Sequence, residues 1–416
     1  MILTSFLLSG AAAALAAPTA SVPAAGSLAG SLAGPSDGTS WTVHAEKVYT
    51  STGETIENAL ILVKDGKITA ITPGVEATRD SISAKVVTAG MVDASARVNT
   101  GLTSVEQSSE VTPSIDAKYG IDPFDVRWAR LAKSGVTTTF IAPLNQNVVG
   151  GMGVILKTAG AADLEKRMVE GADMICGAIG SQPSQRNSPA FGRPTSFYNR
   201  RPTTRMGVEW EWRSALFEAG QAAADGAGKD IDVLQDVLAG KIGTFVQAYT
   251  TQDIRTAVFL KEEMMKEGFG TMNLVIDCGA EAWKEPDLLT RTNTAVVLPP
   301  FPSQGRTRDS ALMPLETAKK LRDAGITFAL SAHDGSDTAG RIDVQAGLAM
   351  RGGLTREEAL RAVTITPAQI LGIANRAGTV EVGKDADLVL WNGEPFEITS
   401  RPVGVLVGGT LALDPR

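Results

Sequence analysis

The sequence predicts an α/β protein, a (β/α)8 TIM-like barrel with a small composite β-sandwich formed by both ends of the mature chain. Three observations point to it. Strand-like and helix-like stretches alternate between residues 86 and 375. Both flanks, 41–85 and 376–416, instead alternate apolar with polar residues, as half-buried strands do. Neither flank alone holds enough strands for a stable sheet, so the two are expected to pair. Periodicity alone leaves an open doubly wound sheet as the other arrangement of the central region. No internal repeat is evident.

The elements follow in order. Ile2 to Ala17 is uncharged and mostly apolar, too short for a stable bilayer anchor, and Ala14-Leu15-Ala16 offers the small residues a signal peptidase reads. No Lys or Arg precedes it. Residues 1–17 are expected to be an export signal and 18–40 a flexible linker rich in Ala, Ser, Gly and Pro. With no lipobox cysteine, the expected location is periplasmic or secreted. The Asp65-Gly66 pair between two alternating runs predicts a hairpin. Strands are expected at Val136–Ala142, Met174–Ile179, Thr244–Ala248, Asn273–Cys278, Ala295–Leu298 and Thr327–Ser331. Helices are expected at Pro123–Ser134, capped by Asp122-Pro123 and ended by Gly135, at Ala311–Ala324, and at Arg356–Val363, opened by a Thr355/Glu358 capping box. At the far end, Ala386–Trp391 and Val403–Gly409 return to the strand pattern.

A chain of 416 residues can bury a large core, and 43% hydrophobic with 20% charged residues is ordinary globular composition. The net charge of −7, with no basic run, argues against nucleic acid and anionic membrane surfaces as partners.

The chain has only two histidines, His44 and His333, and two cysteines. That scarcity bears on the run Gly90-Met91-Val92-Asp93-Ala94-Ser95-Ala96-Arg97. The run resembles the first barrel strand of the amidohydrolase superfamily, where Gly, two apolar residues and Asp precede His-x-His. The stretch Leu354–Ala368 is similar to that family's last barrel helix, and Gly378–Trp391 to its return into the sandwich, close to the imidazolonepropionase-like branch. The resemblance extends over residues 41–412. It implies hydrolysis of non-peptide C–N bonds by one or two divalent metals, which polarise the substrate and acidify a bound water. Fold alone does not license that activity.

Followed strand by strand, the resemblance puts other residues at every ligand slot. Ser95 and Arg97 hold the His-x-His pair, and a guanidinium cannot ligate a metal. Cys176 and Ser181 hold the fourth-strand slots, Gln247 the fifth, and Cys278 the sixth. His333 holds the eighth-strand aspartate slot, with Asp334 one residue later. Asp93 remains as a support. Three readings of the odd residues compete: a substitute zinc site of Cys176, Cys278 and His333, perhaps joined by Asp334; a Cys–His nucleophilic pair, for which strands six and eight look too far apart; or cysteines that merely fill apolar space.

Other features carry less. His44 is expected to be structural or exposed. Gly150-Gly151-Met152-Gly153 could cradle a phosphate, but no Lys-Ser/Thr follows, and a hairpin turn is expected instead. The loop Ser184–Arg205 interleaves Arg186, Arg193, Arg200, Arg201 and Arg205 with Phe191, Phe197 and Tyr198, and reads either as a solvated loop or as a lid over an anionic or aromatic ligand. The favoured functional reading is an exported protein of this fold without the ordinary metal-dependent activity, keeping a pocket for a small molecule or serving an active relative. Its binding groups would be Ser95, Arg97, Ser181 and Gln247, with His333 and Asp334 at any surviving catalytic site. No cofactor is expected, zinc being the alternative. A hydrolase with a remade Cys/His/Asp site and a purely structural protein are the other readings. A homodimer is a family-level expectation.

Overall fold

The computed structural model describes residues 40–98, 106, 109–183, 201–223, 228–301, 311–333 and 341–415. The export signal, nearly all of the linker, Asp334, and Arg186, Phe191, Arg193, Phe197, Tyr198 and Arg200 lie outside the described residues.

The fold is mixed α/β, with three sheets among the described residues. The two ends of the chain share the largest. Strands β1 (Ser40–Tyr49), β2 (Thr55–Lys64), β3 (Lys67–Pro73) and β4 (Ile82–Ala89) come from the first end. Asp65 and Gly66, both with positive φ (50° and 76°), close the two-residue β2–β3 hairpin that the sequence predicts. After β5 (Met91–Ala96), β6 (Val136–Ile141), β7 (Val149–Met152), β8 (Val154–Lys157), β9 (Met174–Ala178), β10 (Gly243–Gln247), β11 (Asn273–Asp277), β12 (Ala295–Leu298) and β13 (Phe328–Leu330), the chain returns with β14 (Leu388–Trp391), β15 (Pro402–Val407) and β16 (Thr410–Leu413). The seven-stranded sheet runs β16-β15-β14-β4-β1-β2-β3, so the C-terminal strands join at β4. Its apolar side chains, among them Val43, Ile61, Val87, Leu388 and Leu406, form a core of their own.

The central strands form a six-stranded sheet, β13-β12-β11-β10-β9-β7, and a three-stranded sheet, β5-β6-β8. β9 to β13 are parallel, and their residues are almost all buried, as in a parallel sheet covered on both faces. The two sheets meet. Asp93 of β5 accepts hydrogen bonds from Ser331 Oγ (2.6 Å) and the Ala332 amide (3.2 Å), just past β13. Val92 and Phe140 from one sheet pack with Cys176, Phe245, Val275, Val297 and Ala329 from the other in one apolar layer.

Two local expectations need correction. Gly150 and Gly151 do not make a hairpin turn: they lie within β7, and Gly153 is the link by which the chain leaves β7 for β8 in a different sheet. Glycine is needed there because a Cβ on Gly151 would sit 2.3 Å from the Ile115 carbonyl oxygen, and one on Gly153 would sit 2.2 Å from the Phe140 ring. The helix Val126–Lys133 is capped by Asp125, which accepts from the Arg127 amide at 2.8 Å, while Asp122 closes the turn before it on the Phe124 amide. The Thr355/Glu358 capping box at Arg356–Val363 forms as expected. Among the described residues no helix is long and apolar enough to cross a membrane.

Candidate functional site

Polar side chains converge where the chain leaves the C-terminal ends of four strands. Arg97 follows β5, Gln247 ends β10, Asp277 ends β11 with Cys278 next, and His333 lies just beyond β13. Cys278 and His333 both have positive φ (58° and 47°). This costs non-glycine residues roughly 1–3 kcal/mol each and is found where the surroundings enforce it. Here Asp93 supplies part of that enforcement. It accepts from Ser331 Oγ, and Ser331 Oγ accepts from the His333 amide at 3.0 Å.

The resulting contacts are close. Arg97 Nη2 donates to Asp277 Oδ2 at 3.1 Å and lies 4.0 Å from Cys278 Sγ. Cys278 Sγ is 3.4 Å from His333 Nε2 and 3.6 Å from Gln247 Nε2. The expectation that β11 and β13 are too far apart for a Cys–His contact therefore fails. Both residues sit past their strand ends, in left-handed backbone, and their side chains meet across β12.

Electrostatics follow from burial. Burial works against the Arg97 charge, but Asp277, Cys278 and Tyr249 together outweigh it and hold the guanidinium pKa above its ordinary value. Burial pushes the Asp277 carboxyl up, and Arg97 pulls it partly back. The Cys278 thiol is driven up by burial and by Asp277. His333 is driven well below the ordinary imidazole value by burial and then by Arg97. At neutral pH the Cys278–His333 contact is thus thiol to neutral imidazole, not thiolate to imidazolium.

A cavity of about 180 Å³ opens on this cluster, lined by Arg97, Leu144, Asn145, Gln146, Gln182, Gln247, Tyr249 and His333. Of the residues named from sequence, Arg97, Gln247, Cys278 and His333 come together. Ser95 is buried beside them, its Oγ facing Asp277 without hydrogen-bond geometry. Ser181 is not in the lining; its neighbour Gln182 is. Cys176 is not among the clustered donors. It sits in the apolar layer with its sulfur 4.0 Å from the Met174 carbonyl oxygen, and Asp277 takes the third place instead. His44 is buried and pairs with Asn58 at 2.8 Å, away from this cavity. Sequence reasoning missed Asp277, Tyr249, Asn145, Gln146 and Gln182. All follow or end a strand, and that position was the available signal.

Asp277, Cys278 and His333 bring one ligand atom each within 4.8 Å of one another, a donor set acceptable to zinc. A divalent ion among them would stand close to the Arg97 guanidinium. At roughly 4 Å and an effective dielectric near 20, that repulsion is about 8 kcal/mol. Structural zinc with four ligands gains only about 10–16 kcal/mol in total. With Arg97 paired to Asp277, the three donors do not fit a divalent metal.

Comparison with known proteins places this geometry. Residues 314–412 match the model of the amidohydrolase family. The chain is 25% identical over 398 residues to the amidohydrolase tasK of Hapsidospora irregularis, covering 86% of this chain and 39% of that protein. It is 36% identical over 98 residues to the imidazolonepropionase of Sphingopyxis alaskensis, covering 23% of this chain and 24% of that one. The chain thus spans well under half the length of these relatives. The crystal structure of an amidohydrolase from Thermotoga maritima MSB8 superposes with a TM-score of 0.75 at 27% identity, covering 90% of this chain and 99% of that one. Family model, relatives and structural neighbour agree: the chain is similar to the amidohydrolases.

Proposed function

We propose that this protein is an exported member of the superfamily that has lost the ordinary metal-dependent hydrolysis and uses the pocket to bind a small, uncharged polar molecule. The observation that carries the reading is the Arg97 guanidinium, fixed on Asp277 at 3.1 Å in the space a metal would share. The ligand class follows from the lining. Among the described residues Arg97 is the one charged side chain in the lining, and Asp277 already matches its charge. The remaining polar groups are the amides of Asn145, Gln146, Gln182 and Gln247, the Tyr249 phenol and neutral His333. Such groups pair with ligands that offer both donors and acceptors.

The fold reading behind this is a (β/α)8 barrel over residues 86–375 whose wall joins the two central sheets, with the seven-stranded sheet as the composite sandwich of residues 41–85 and 376–416. The shared apolar layer and the Asp93–Ser331 hydrogen bond support that joining. Of the binding set Ser95, Arg97, Ser181 and Gln247, Arg97 and Gln247 stay in the proposal as direct contacts and Ser95 as a group facing Asp277, Ser181 drops out, and His333, expected at a catalytic site, becomes a binding contact.

The second reading is a thiol-based hydrolase, favoured by the 3.4 Å contact between Cys278 and His333. The thiol pKa driven up and the imidazole pKa driven down argue against an activated nucleophile.

The test is a thermal-shift screen of the full chain against small amides, ureas and imides, followed by calorimetry. Binding that stabilises the wild type and is lost in Gln247→Leu supports the reading. Stoichiometric metal together with amide hydrolysis that stops when the metal is removed overturns it.

A further inference from the structure

We propose that Asp277, Cys278 and His333 are a metal site closed by Arg97, whose guanidinium acts as the built-in cation of the cluster. The inference rests on the reading that the resident protein works without metal. It adds that one side chain decides this.

Four observations carry it. The three donor atoms lie within 4.8 Å of one another, close enough for one ion to touch all three. Their chemistry, carboxylate, sulfur and imidazole nitrogen, is that of transition-metal sites. Asp277 Oδ1 is buried with no hydrogen-bond partner among the described residues, although a buried carboxylate oxygen ordinarily has one. Arg97 touches two of the three donors, through Nη2 at 3.1 Å from Asp277 Oδ2 and 4.0 Å from Cys278 Sγ. The buried carboxylate needs a positive charge, and either the guanidinium or a metal ion can supply it. Both cannot, because they would share the same small space. Binding a metal would also release the thiol proton of Cys278 to solvent, which Asp277 resists while unpaired and an ion compensates.

The support beneath two of the donors is independent of Arg97. His333 is held through Ser331 and Asp93, and Gln247 Nε2 approaches the Cys278 sulfur at 3.6 Å. Replacing Arg97 therefore leaves Cys278 and His333 in position, and the backbone of Asp277 stays held between β10 and β12.

The experiment titrates cobalt(II) into the full chain as wild type, Arg97→Gln and Arg97→His. Thiolate-to-cobalt absorption in the near ultraviolet is the signal, and thermal stability with and without zinc is read in parallel. The expected result is saturable binding by at least one Arg97 variant, tighter than wild type by about a hundredfold or more, given the charge removed. Zinc should raise the melting temperature of that variant and not of the wild type. Adding Cys278→Ser should abolish the absorption. Folded variants that give no cobalt signal overturn the proposal. So do variants that stay unfolded even with zinc present, since an ion at these donors would replace the lost cation. Wild-type binding as tight as that of the variants overturns it too. A metal-free wild type with unresponsive variants sinks this inference alone, and the ligand screen still tests the pocket reading by itself.

Discussion

Cys278 Sγ lies 3.4 Å from His333 Nε2 although β12 stands between the strands that deliver them. Proximity of this kind invites a catalytic interpretation, but the surroundings of the buried thiol and the half-buried imidazole decide otherwise. Burial and Asp277 raise the thiol, while burial and Arg97 lower the imidazole. Cys176 is equally buried, and its thiol is also raised, again chiefly by burial. The native protein should therefore react with iodoacetamide at pH 8 about a hundredfold or more slowly than the same protein in urea. Rapid labelling of Cys278 in the folded chain would restore the nucleophile reading.

Asp93 holds the seam between β5 and β13. It is fully buried and accepts from Ser95 N (3.0 Å), Ser331 Oγ (2.6 Å) and Ala332 N (3.2 Å). In Asp93→Asn one oxygen becomes a donor facing donors. The expected loss is about 2–4 kcal/mol in urea unfolding, against about 1 kcal/mol for Ser331→Ala. Equal small losses from both changes would show that the seam does not depend on the carboxylate.

Gly151 tests the crossing between sheets. Its φ is +118°, and a Cβ would press on the Ile115 carbonyl oxygen at 2.3 Å. Gly151→Ala should cost about 2–4 kcal/mol. Gly74, with φ +70° and open space around it, serves as the control, where alanine should cost about 1 kcal/mol. Matching melting temperatures for the two variants would contradict the packing account.

Glu281 gives a pH signature. Burial alone would raise its pKa. Lys284 and the amides of Thr251 and Leu312 outweigh that and hold it at about 2, below the ordinary value of 4.5. A depressed carboxyl stabilises the fold above its unfolded pKa and loses that contribution as pH falls through the folded one. Glu281→Gln should therefore cost about 2–3 kcal/mol at pH 7, with the difference from wild type shrinking from pH 4.5 down to about 2. A difference that stays constant over that range would mean the charge is not what stabilises.

Much of this was legible in the chain. Val136–Ile141, Asn273–Asp277 and Ala295–Leu298 were readable because buried parallel strands are continuous apolar runs of recognisable length. The Asp65-Gly66 hairpin and the Thr355/Glu358 box were readable because their chemistry is local. The site was readable only in part. Arg97, Cys278, Gln247 and His333 stood out as residues in unexpected places. Asp277 did not, because an aspartate at a strand end looks ordinary until Arg97 is seen 180 residues away in sequence and 3.1 Å away in space. Asn145, Gln146 and Gln182 lie on loops, where no periodicity marks which side chains turn inward. The left-handed backbone at Cys278 and His333 leaves no trace in composition.

The central claim is that Arg97, not a metal, balances the charge of Asp277. Elemental analysis of the full chain, purified without a polyhistidine tag or chelator, tests it most directly. The account predicts a folded protein carrying far less than one transition-metal ion per chain. About one zinc per chain, lost on Cys278→Ser, would contradict it and return the site to metal-assisted hydrolysis.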